Sequence, residues 1–114
     1  MKSARALALA GVLVVSCAAS AGAGGQLSGG DLMRLFPGRF QAVINGAMVI
    51  SINARRDGSL VGRIMGTSDT GRWAVRSGKL CINWTKWLKG RTNCSAVIED
   101  AGWYRGNNVA FKRI

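Results

Sequence analysis

The sequence contains no histidine and only five acidic residues, which removes the side chains that most catalytic chemistry requires. Without His, a Ser–His or Cys–His nucleophile pair cannot form. Glu99 and Asp100 are adjacent, so their side chains would diverge in a strand, which does not suit paired acid–base work. The glycines form neither a P-loop nor a dinucleotide-binding motif. We therefore expect a protein that is not an enzyme and that uses no cofactor.

One tripeptide, Asp69-Thr70-Gly71, matches the active-site motif of aspartic proteases, in which two Asp carboxylates share a proton. A chain of 114 residues could use that motif only as a dimer. The protease motif follows an apolar strand and precedes a small residue. Here polar Gly66-Thr67-Ser68 comes before it and Arg72-Trp73 comes after it. We interpret residues 66–71 as a polar turn.

The first residues indicate export. Lys2 and Arg5 precede residues 6–16, an uncharged apolar stretch that is too short to span a bilayer as a helix but fits a secretory signal peptide. Val14-Val15-Ser16-Cys17 resembles the bacterial lipobox, in which the Cys becomes the lipidated first residue. We therefore predict a lipoprotein signal peptide at 1–16.

An ordinary signal peptidase site at Ala19-Ser20-Ala21 is the alternative, with a leader of residues 1–21. Residues 17–30 are rich in Gly, Ala and Ser and are typical of a flexible tether. Both interpretations place the protein outside the cytoplasm. We expect it in the periplasm, anchored to a membrane by lipid if Cys17 is modified.

Assigning Cys17 to processing leaves Cys81 and Cys94 as a pair in an oxidising compartment, where a disulfide is expected. Closing a loop of this length stabilises a fold by about 3 kcal/mol in the chain-entropy model. A metal site is disfavoured because His is absent and no third ligand lies near the two cysteines.

Positive charge dominates the composition, with 16 Lys and Arg residues against five acids. Loss of Lys2 and Arg5 with the signal peptide lowers the net charge from +11 to about +9. A strong electrostatic partner should therefore be anionic. Export excludes cytoplasmic nucleic acid, so we expect an acidic polysaccharide, a lipid headgroup or an acidic protein.

The remainder, residues 31–114, predicts a mainly β domain. Ser28 and Asp31 have the spacing of a helix capping box, and Pro37-Gly38 ends a short N-terminal helix that should plug one end of a sheet. Short alternating segments separated by turn residues follow, which indicates a small antiparallel barrel or sandwich. The predicted strands include residues 40–44, 48–53, 60–65, 93–99, 103–105 and 109–113.

The centre of the domain is a predicted hairpin around the two-residue turn Ser77-Gly78. This turn sets Val75 opposite Leu80 and Trp73 opposite Ile82, which makes one face apolar. The other face carries three cations, with Arg76 opposite Lys79 and Arg72 opposite Asn83. Like charges across a sheet repel, so we consider Arg72, Arg76 and Lys79 candidates for binding an anion.

A second group of ligand-binding candidates lies in the loop after the hairpin and consists of Lys86, Trp87, Lys89 and Arg91. An exposed Trp between cations could stack on a sugar ring or touch a membrane surface. The alternative is that Trp87 and Leu88 fold back over the disulfide.

Several motifs together resemble a group of small exported bacterial proteins that are domains of unknown function. The motifs are Phe36-Pro37-Gly38, Asp57-Gly58, Asp69-Thr70-Gly71-Arg72-Trp73, Leu80-Cys81-Ile82-Asn83-Trp84 and Cys94. The resemblance implies a compact exported β fold and brings no activity or catalytic residue.

These observations lead to one functional expectation and one alternative. We expect a non-enzymatic envelope protein, a lipoprotein, that binds an anionic component or an acidic protein. The alternative is a periplasmic inhibitor of an exported hydrolase, because small disulfide-bonded β domains can fill that role.

Overall fold

The computed structural model describes residues 25–114. The predicted signal peptide, the predicted lipidation site at Cys17 and most of the predicted tether lie outside these residues. The described chain forms one helix followed by nine strands. They are α1 (Gly29–Leu35), β1 (Gly38–Ile44), β2 (Met48–Ala54), β3 (Ser59–Ile64), β4 (Thr67–Arg76), β5 (Lys79–Trp84), β6 (Thr92–Ser95), β7 (Ile98–Asp100), β8 (Trp103–Gly106) and β9 (Val109–Arg113).

All nine strands belong to one antiparallel sheet with the order β6-β5-β4-β3-β2-β1-β9-β8-β7. The sheet curls into a half-barrel, which confirms the expected mainly β architecture and gives a single curved sheet instead of a sandwich. The two edge strands, β6 and β7, follow each other along the chain. Their junction closes part of the seam, where the hydroxyl of Ser95 accepts the backbone N–H of Asn107 at 3.0 Å.

The N-terminal helix plugs one end of the half-barrel, as expected. Ser28 caps it through the predicted box: its hydroxyl accepts the N–H of Asp31, and the Asp31 carboxylate accepts the N–H of Ser28. These two Ser28 hydrogen bonds, aided by nearby Arg34, hold the pKa of Asp31 below its usual value despite some loss of solvent. Leu32 is fully buried, and Phe36 packs on Phe40 with ring centroids 4.7 Å apart.

The central hairpin has the register that the Ser77-Gly78 turn predicts. Both turn residues have positive φ, which matches the two-residue hairpin turns that follow the twist of the strands. Next to this hairpin, Cys81 faces Cys94 across β5 and β6, and the two form the predicted disulfide. The bridge thus ties edge strand β6 to the body of the sheet.

Two sequence-based boundaries are wrong. The predicted turn at 66–71 is only Met65-Gly66, both with positive φ, and Thr67 already pairs with Ile64 at the start of β4. The predicted strand at 93–99 is interrupted at Ala96-Val97, because β6 and β7 belong to opposite edges of the sheet and the chain must cross between them.

The folded domain also begins before residue 31. Gln26 bridges to Ile98, and the N–H of Leu27 donates to the carbonyl of Val97 at 2.8 Å. Residues 25–30 of the expected tether therefore belong to the domain. The first of them run beside β7, and the last two begin α1. Among residues 25–114, no helix has the length and hydropathy that a membrane crossing requires.

Candidate functional site

The half-barrel has two different ends. At the closed end lie α1 and the turns at residues 55–58, 77–78 and 101–102. At the open end lie the turns at residues 45–47, 65–66 and 107–108 and the longer loop at residues 85–91, hereafter the mouth loop. An antiparallel meander places alternate turns at the same end of a sheet, so this division follows directly from the strand order.

An apolar cavity of about 550 Å³ occupies the concave side of the sheet and reaches the open end. Its wall is formed by inward-facing aliphatic and aromatic side chains, and its rim includes the amide side chains of the turns. The aliphatic wall includes Ile44, Ile50, Ile52, Leu60, Ile64, Leu80, Ile82 and Val109, and the rim includes Asn45, Asn107 and Asn108. A volume of this size is within the range of small-molecule sites.

Small residues at inward positions help to make this space. Ala42 and Gly106 line the cavity, whereas Gly62 and Gly71 lie beneath the indole rings of the open half. A Cβ added at Gly62 would lie 2.8 Å from the rings of both Trp84 and Trp87. Because these two glycines have no side chain, the indole rings pack directly against the backbone of β3 and β4.

Trp87 lies at the mouth of the cavity. Its ring is half-buried and packs on Trp84 with centroids 4.9 Å apart. The disulfide lies on the other face of β5, so Trp87 does not fold over it, and this alternative from the sequence is wrong. The fully exposed ring that the sequence also suggested is wrong as well. Trp87 and Leu88 instead form part of the cavity wall.

Asp69 positions the mouth loop. Its side chain is only 3% exposed and accepts the backbone N–H groups of Lys86 at 2.8 Å, Trp87 at 2.9 Å and Thr70 at 2.8 Å. Burial alone would raise the pKa of Asp69, but these hydrogen bonds and the charge of Lys86 lower it below its usual value. The Asp-Thr-Gly tripeptide is thus a structural element of this loop.

The mouth loop presents its cations to solvent. The amide of Asn83 donates to the carbonyl of Gly90 at 2.6 Å, and Lys89-Gly90 turns the chain with positive φ at both residues. Lys86, Lys89 and Arg91 are exposed, and Arg63, near the end of β3, is exposed at the same end. Three sequence-based candidates therefore gather with Trp87 at the mouth.

Acidic residues are distributed in the opposite way. The four acids that reach solvent are Asp31, Asp57, Glu99 and Asp100, and all of them lie at or near the closed end. Two of these are paired, Asp31 with Arg34 at 2.6 Å and Asp100 with Arg105 at 3.4 Å. Within residues 25–114, the open end contains one acid, the buried Asp69. The open end of the described domain therefore exposes cations without acids, whereas the closed end exposes acids together with further cations, among them Arg55 and Arg56.

The other candidates, Arg72, Arg76 and Lys79, lie on the outer face of the hairpin, with the two pairings that the register predicts. Arg76 and Lys79 flank the closed-end turn, so the structure does not join this group to the mouth. Arg72 reaches the turn at Asp57, whose pKa is lowered chiefly by the hydroxyl and N–H of Ser59 and further by Arg55 and Arg72.

Sequence reasoning missed the cavity and two exposed residues of the open end. Met65 is 97% exposed at the tip of the β3–β4 turn, and Arg63 lies two residues before it. The signal for the cavity was present, because small residues occupy inward positions of several strands. That signal is readable only when the strands are known to enclose one space.

Within residues 25–114, no group of three or more His, Cys, Asp or Glu side chains is placed to hold a metal ion. No protein-family model matches the chain, and comparisons with curated proteins and with solved structures find no similar protein. The resemblance to small exported bacterial domains therefore stays a prediction.

Proposed function

We propose that the protein is a non-enzymatic component of the bacterial cell envelope that binds an anionic partner at its open end. The observation that carries this proposal is the group of exposed cations at the open end, which has no exposed acid beside it among residues 25–114. Arg63, Lys86, Lys89 and Arg91 reach solvent at the open end, whereas the solvent-accessible acids lie at the other end. Within the described domain, an anion at the open end therefore meets cations without an exposed acid beside them, whereas the closed end presents acids and cations together.

The mouth is a better candidate than the outer hairpin face. The hairpin cations Arg72, Arg76 and Lys79 lie on an open, convex surface, and Arg72 contacts the turn that contains Asp57. Lys86, Lys89 and Arg91 instead lie in the mouth loop, which also contributes Trp87 and Leu88 to the cavity wall. Charges of one sign beside a concave, low-dielectric wall reinforce each other. We therefore assign the anion to Lys86, Lys89 and Arg91.

The cellular location is part of the proposal. The Cys81–Cys94 disulfide fits an oxidising compartment, and the sequence predicts a lipoprotein signal peptide that makes Cys17 the first residue. Mass spectrometry of the mature N-terminus tests this: we expect a lipid-modified chain that starts at Cys17. An unmodified chain that starts at Gly22 would show that the protein is exported without a lipid anchor.

The binding proposal is tested with two triple variants of matched charge. Lys86→Gln/Lys89→Gln/Arg91→Gln removes the mouth cations, and Arg72→Gln/Arg76→Gln/Lys79→Gln removes the hairpin cations. Each variant loses three charges, so a nonspecific effect of net charge is the same in both. The probes are heparin, as a soluble polyanion, and vesicles with anionic or with only zwitterionic phospholipid.

We expect the wild type to bind at least one anionic probe, with an affinity that falls steeply as salt is added. The mouth variant should bind at least tenfold more weakly, and the hairpin variant should change by less than about threefold. Preference for heparin or for anionic vesicles distinguishes a polysaccharide from a lipid. Equal loss in the two variants would contradict a site at the mouth.

A further inference from the structure

The cavity behind the basic mouth has the properties of a site for a hydrocarbon chain. Its wall is mostly aliphatic and aromatic, its polar side chains are those of the open-end turns and of Asn93 and Ser95 on edge strand β6, and no charged side chain of residues 25–114 lines it. Transfer of a hydrocarbon chain from water into the cavity is favourable by about 25 cal/mol per Å² of apolar surface buried. Sugars and peptides need many buried hydrogen-bond partners, and apart from Asn93 and Ser95 the described wall below the rim is apolar.

The size of the cavity sets the size of the occupant. A volume of 550 Å³ holds about 18 groups of the size of a water molecule or a methylene, at roughly 30 Å³ each. One long alkyl chain fits this volume, whereas the two chains of an ordinary membrane phospholipid do not. The deep part of the cavity ends at Phe36 and Phe40, and the other end opens beside Trp87.

The polar end of such a molecule would lie at the rim. The side chains of Asn45, Asn107 and Asn108 line the rim, and the cations of the mouth loop stand beside it. Amide groups and ammonium or guanidinium groups suit a carboxylate or a phosphate. The apolar interior of the cavity therefore fits the hydrocarbon end of an amphiphile, and the cations beside the rim fit its anionic end.

We propose that the half-barrel binds an anionic amphiphile with a single hydrocarbon chain, of the class of fatty acids and lysophospholipids. The chain enters the cavity between Trp87 and the open-end turns, and the anionic group stays at the rim. The proposed position of the hydrocarbon chain is argued from the lining and volume of the cavity alone. The anionic nature of the polar end rests on the proposed function, so the two parts can fail separately.

Three probes separate the two parts. Hexadecanoate has both a chain and a charge, monohexadecanoylglycerol has the same chain without the charge, and hexanoate has the charge without a long chain. Binding to the purified protein is measured by calorimetry and by the fluorescence of the tryptophans, below the concentrations at which the probes form micelles. Trp84 and Trp87 line the cavity, so an occupant should change their emission.

We expect hexadecanoate to bind with a stoichiometry of one, the glycerol ester at least tenfold more weakly, and hexanoate not measurably. Equal binding of hexadecanoate and the ester would leave the cavity site intact and contradict the anionic partner. Absence of binding by both long-chain probes, with heparin or vesicle binding retained, would overturn the cavity site and leave the proposed function standing.

A matched pair of variants on β2 tests the location. Ile52 faces the cavity and Val49 faces outward, where it is 49% exposed. Ile52→Trp should weaken hexadecanoate binding at least tenfold by filling the space, and Val49→Trp should change it by less than twofold. Equal affinities in the two variants would overturn the location. Should Ile52→Trp fail to fold, the comparison of hexadecanoate with hexanoate on the wild type still decides whether a chain is bound.

Discussion

Asp69 and Trp87 are joined by a hydrogen bond of 2.9 Å from the backbone N–H of Trp87 to the Asp69 carboxylate, across 18 residues of sequence. This contact connects the first half of β4 to the mouth loop. The same oxygen accepts the N–H of Lys86, so one buried carboxylate fixes both an aromatic and a cationic residue of the mouth. The geometry of the candidate site therefore depends on Asp69.

Replacing Asp69 with Asn should loosen the mouth loop. The two Asp69 oxygens accept three N–H groups, whereas Asn offers one oxygen and turns an NH₂ group toward at least one donor. An unpaired buried donor is destabilising. We expect Asp69→Asn to lower the Tm by roughly 5 °C or more and to weaken hexadecanoate binding.

Asp57→Asn is the control for this variant. Asp57 is exposed and accepts the N–H and hydroxyl of Ser59 in a closed-end turn. Its replacement should leave ligand binding unchanged. Equal losses of binding in the two variants, measured by calorimetry on folded protein, would show that Asp69 has no special connection with the mouth.

The stability of the mouth loop should depend on pH through Asp69. The pKa of Asp69 is lowered from its ordinary value of 3.8, so folding favours the ionised carboxylate. This stabilisation is complete above about pH 5 and is lost as the pH falls through the lowered pKa of the folded state. The Tm difference between wild type and Asp69→Asn should therefore be constant from neutral pH to about pH 5 and shrink at lower pH. A difference that persists unchanged to pH 2 would contradict the role of the ionised form.

Glycine substitutions should have very different effects at three positions. A Cβ at Gly71 would lie 1.8 Å from the carbonyl oxygen of Asn83, which a β-sheet cannot accommodate without losing ladder pairing. We expect Gly71→Ala to cost more than about 3 kcal/mol of unfolding free energy, and Gly62→Ala to displace Trp84 and Trp87 at a cost of about 1–3 kcal/mol. Chemical denaturation measures both free energies.

Gly30→Ala is the matched control, because an added Cβ there meets only ordinary contacts at 3.8 Å or more and Ala favours a helix. It should be neutral or stabilising by up to about 1 kcal/mol. A Gly71→Ala variant as stable as Gly30→Ala would contradict the close approach of β4 and β5.

Removing the disulfide should destabilise the fold without changing its topology. Cys81→Ala/Cys94→Ala should lower the unfolding free energy by about 3 kcal/mol, because the unfolded chain is then no longer constrained by a closed loop. Reduction of the wild type should have a similar effect. Thiol labelling provides the check on the premise: both cysteines should be unreactive in the untreated folded protein and reactive after reduction.

Local sequence signals predicted much of the fold. The helix cap at Ser28 and the hairpin register at Ser77-Gly78 depend on neighbouring residues only, and both are confirmed. The break at Ala96-Val97 was missed because it depends on the closure of the sheet. Nothing within residues 93–99 distinguishes one long strand from two short strands at opposite edges.

The site was less predictable because it is made by long-range contacts. The sequence identified Lys86, Trp87, Lys89 and Arg91 as candidates, but it did not show that their loop borders the mouth of a cavity. It interpreted Asp69 as a turn residue, since its donors lie 17 and 18 positions away. The cavity itself depends on the joint curvature of several strands, which no local pattern reports.

The open end, with its apolar cavity and the basic mouth loop beside it, is the binding site that we propose. An NMR titration of ¹⁵N-labelled protein with hexadecanoate, followed through the amide chemical shifts, locates the bound molecule. We expect shifts concentrated at the open-end turns 45–47, 65–66 and 107–108, in the mouth loop, and at the inward-facing residues of the cavity wall. The outer hairpin face around residues 76–79 should not respond. Shifts confined to that face or to the closed end, with the mouth loop unchanged, would show that hexadecanoate binds elsewhere and would overturn the proposed site.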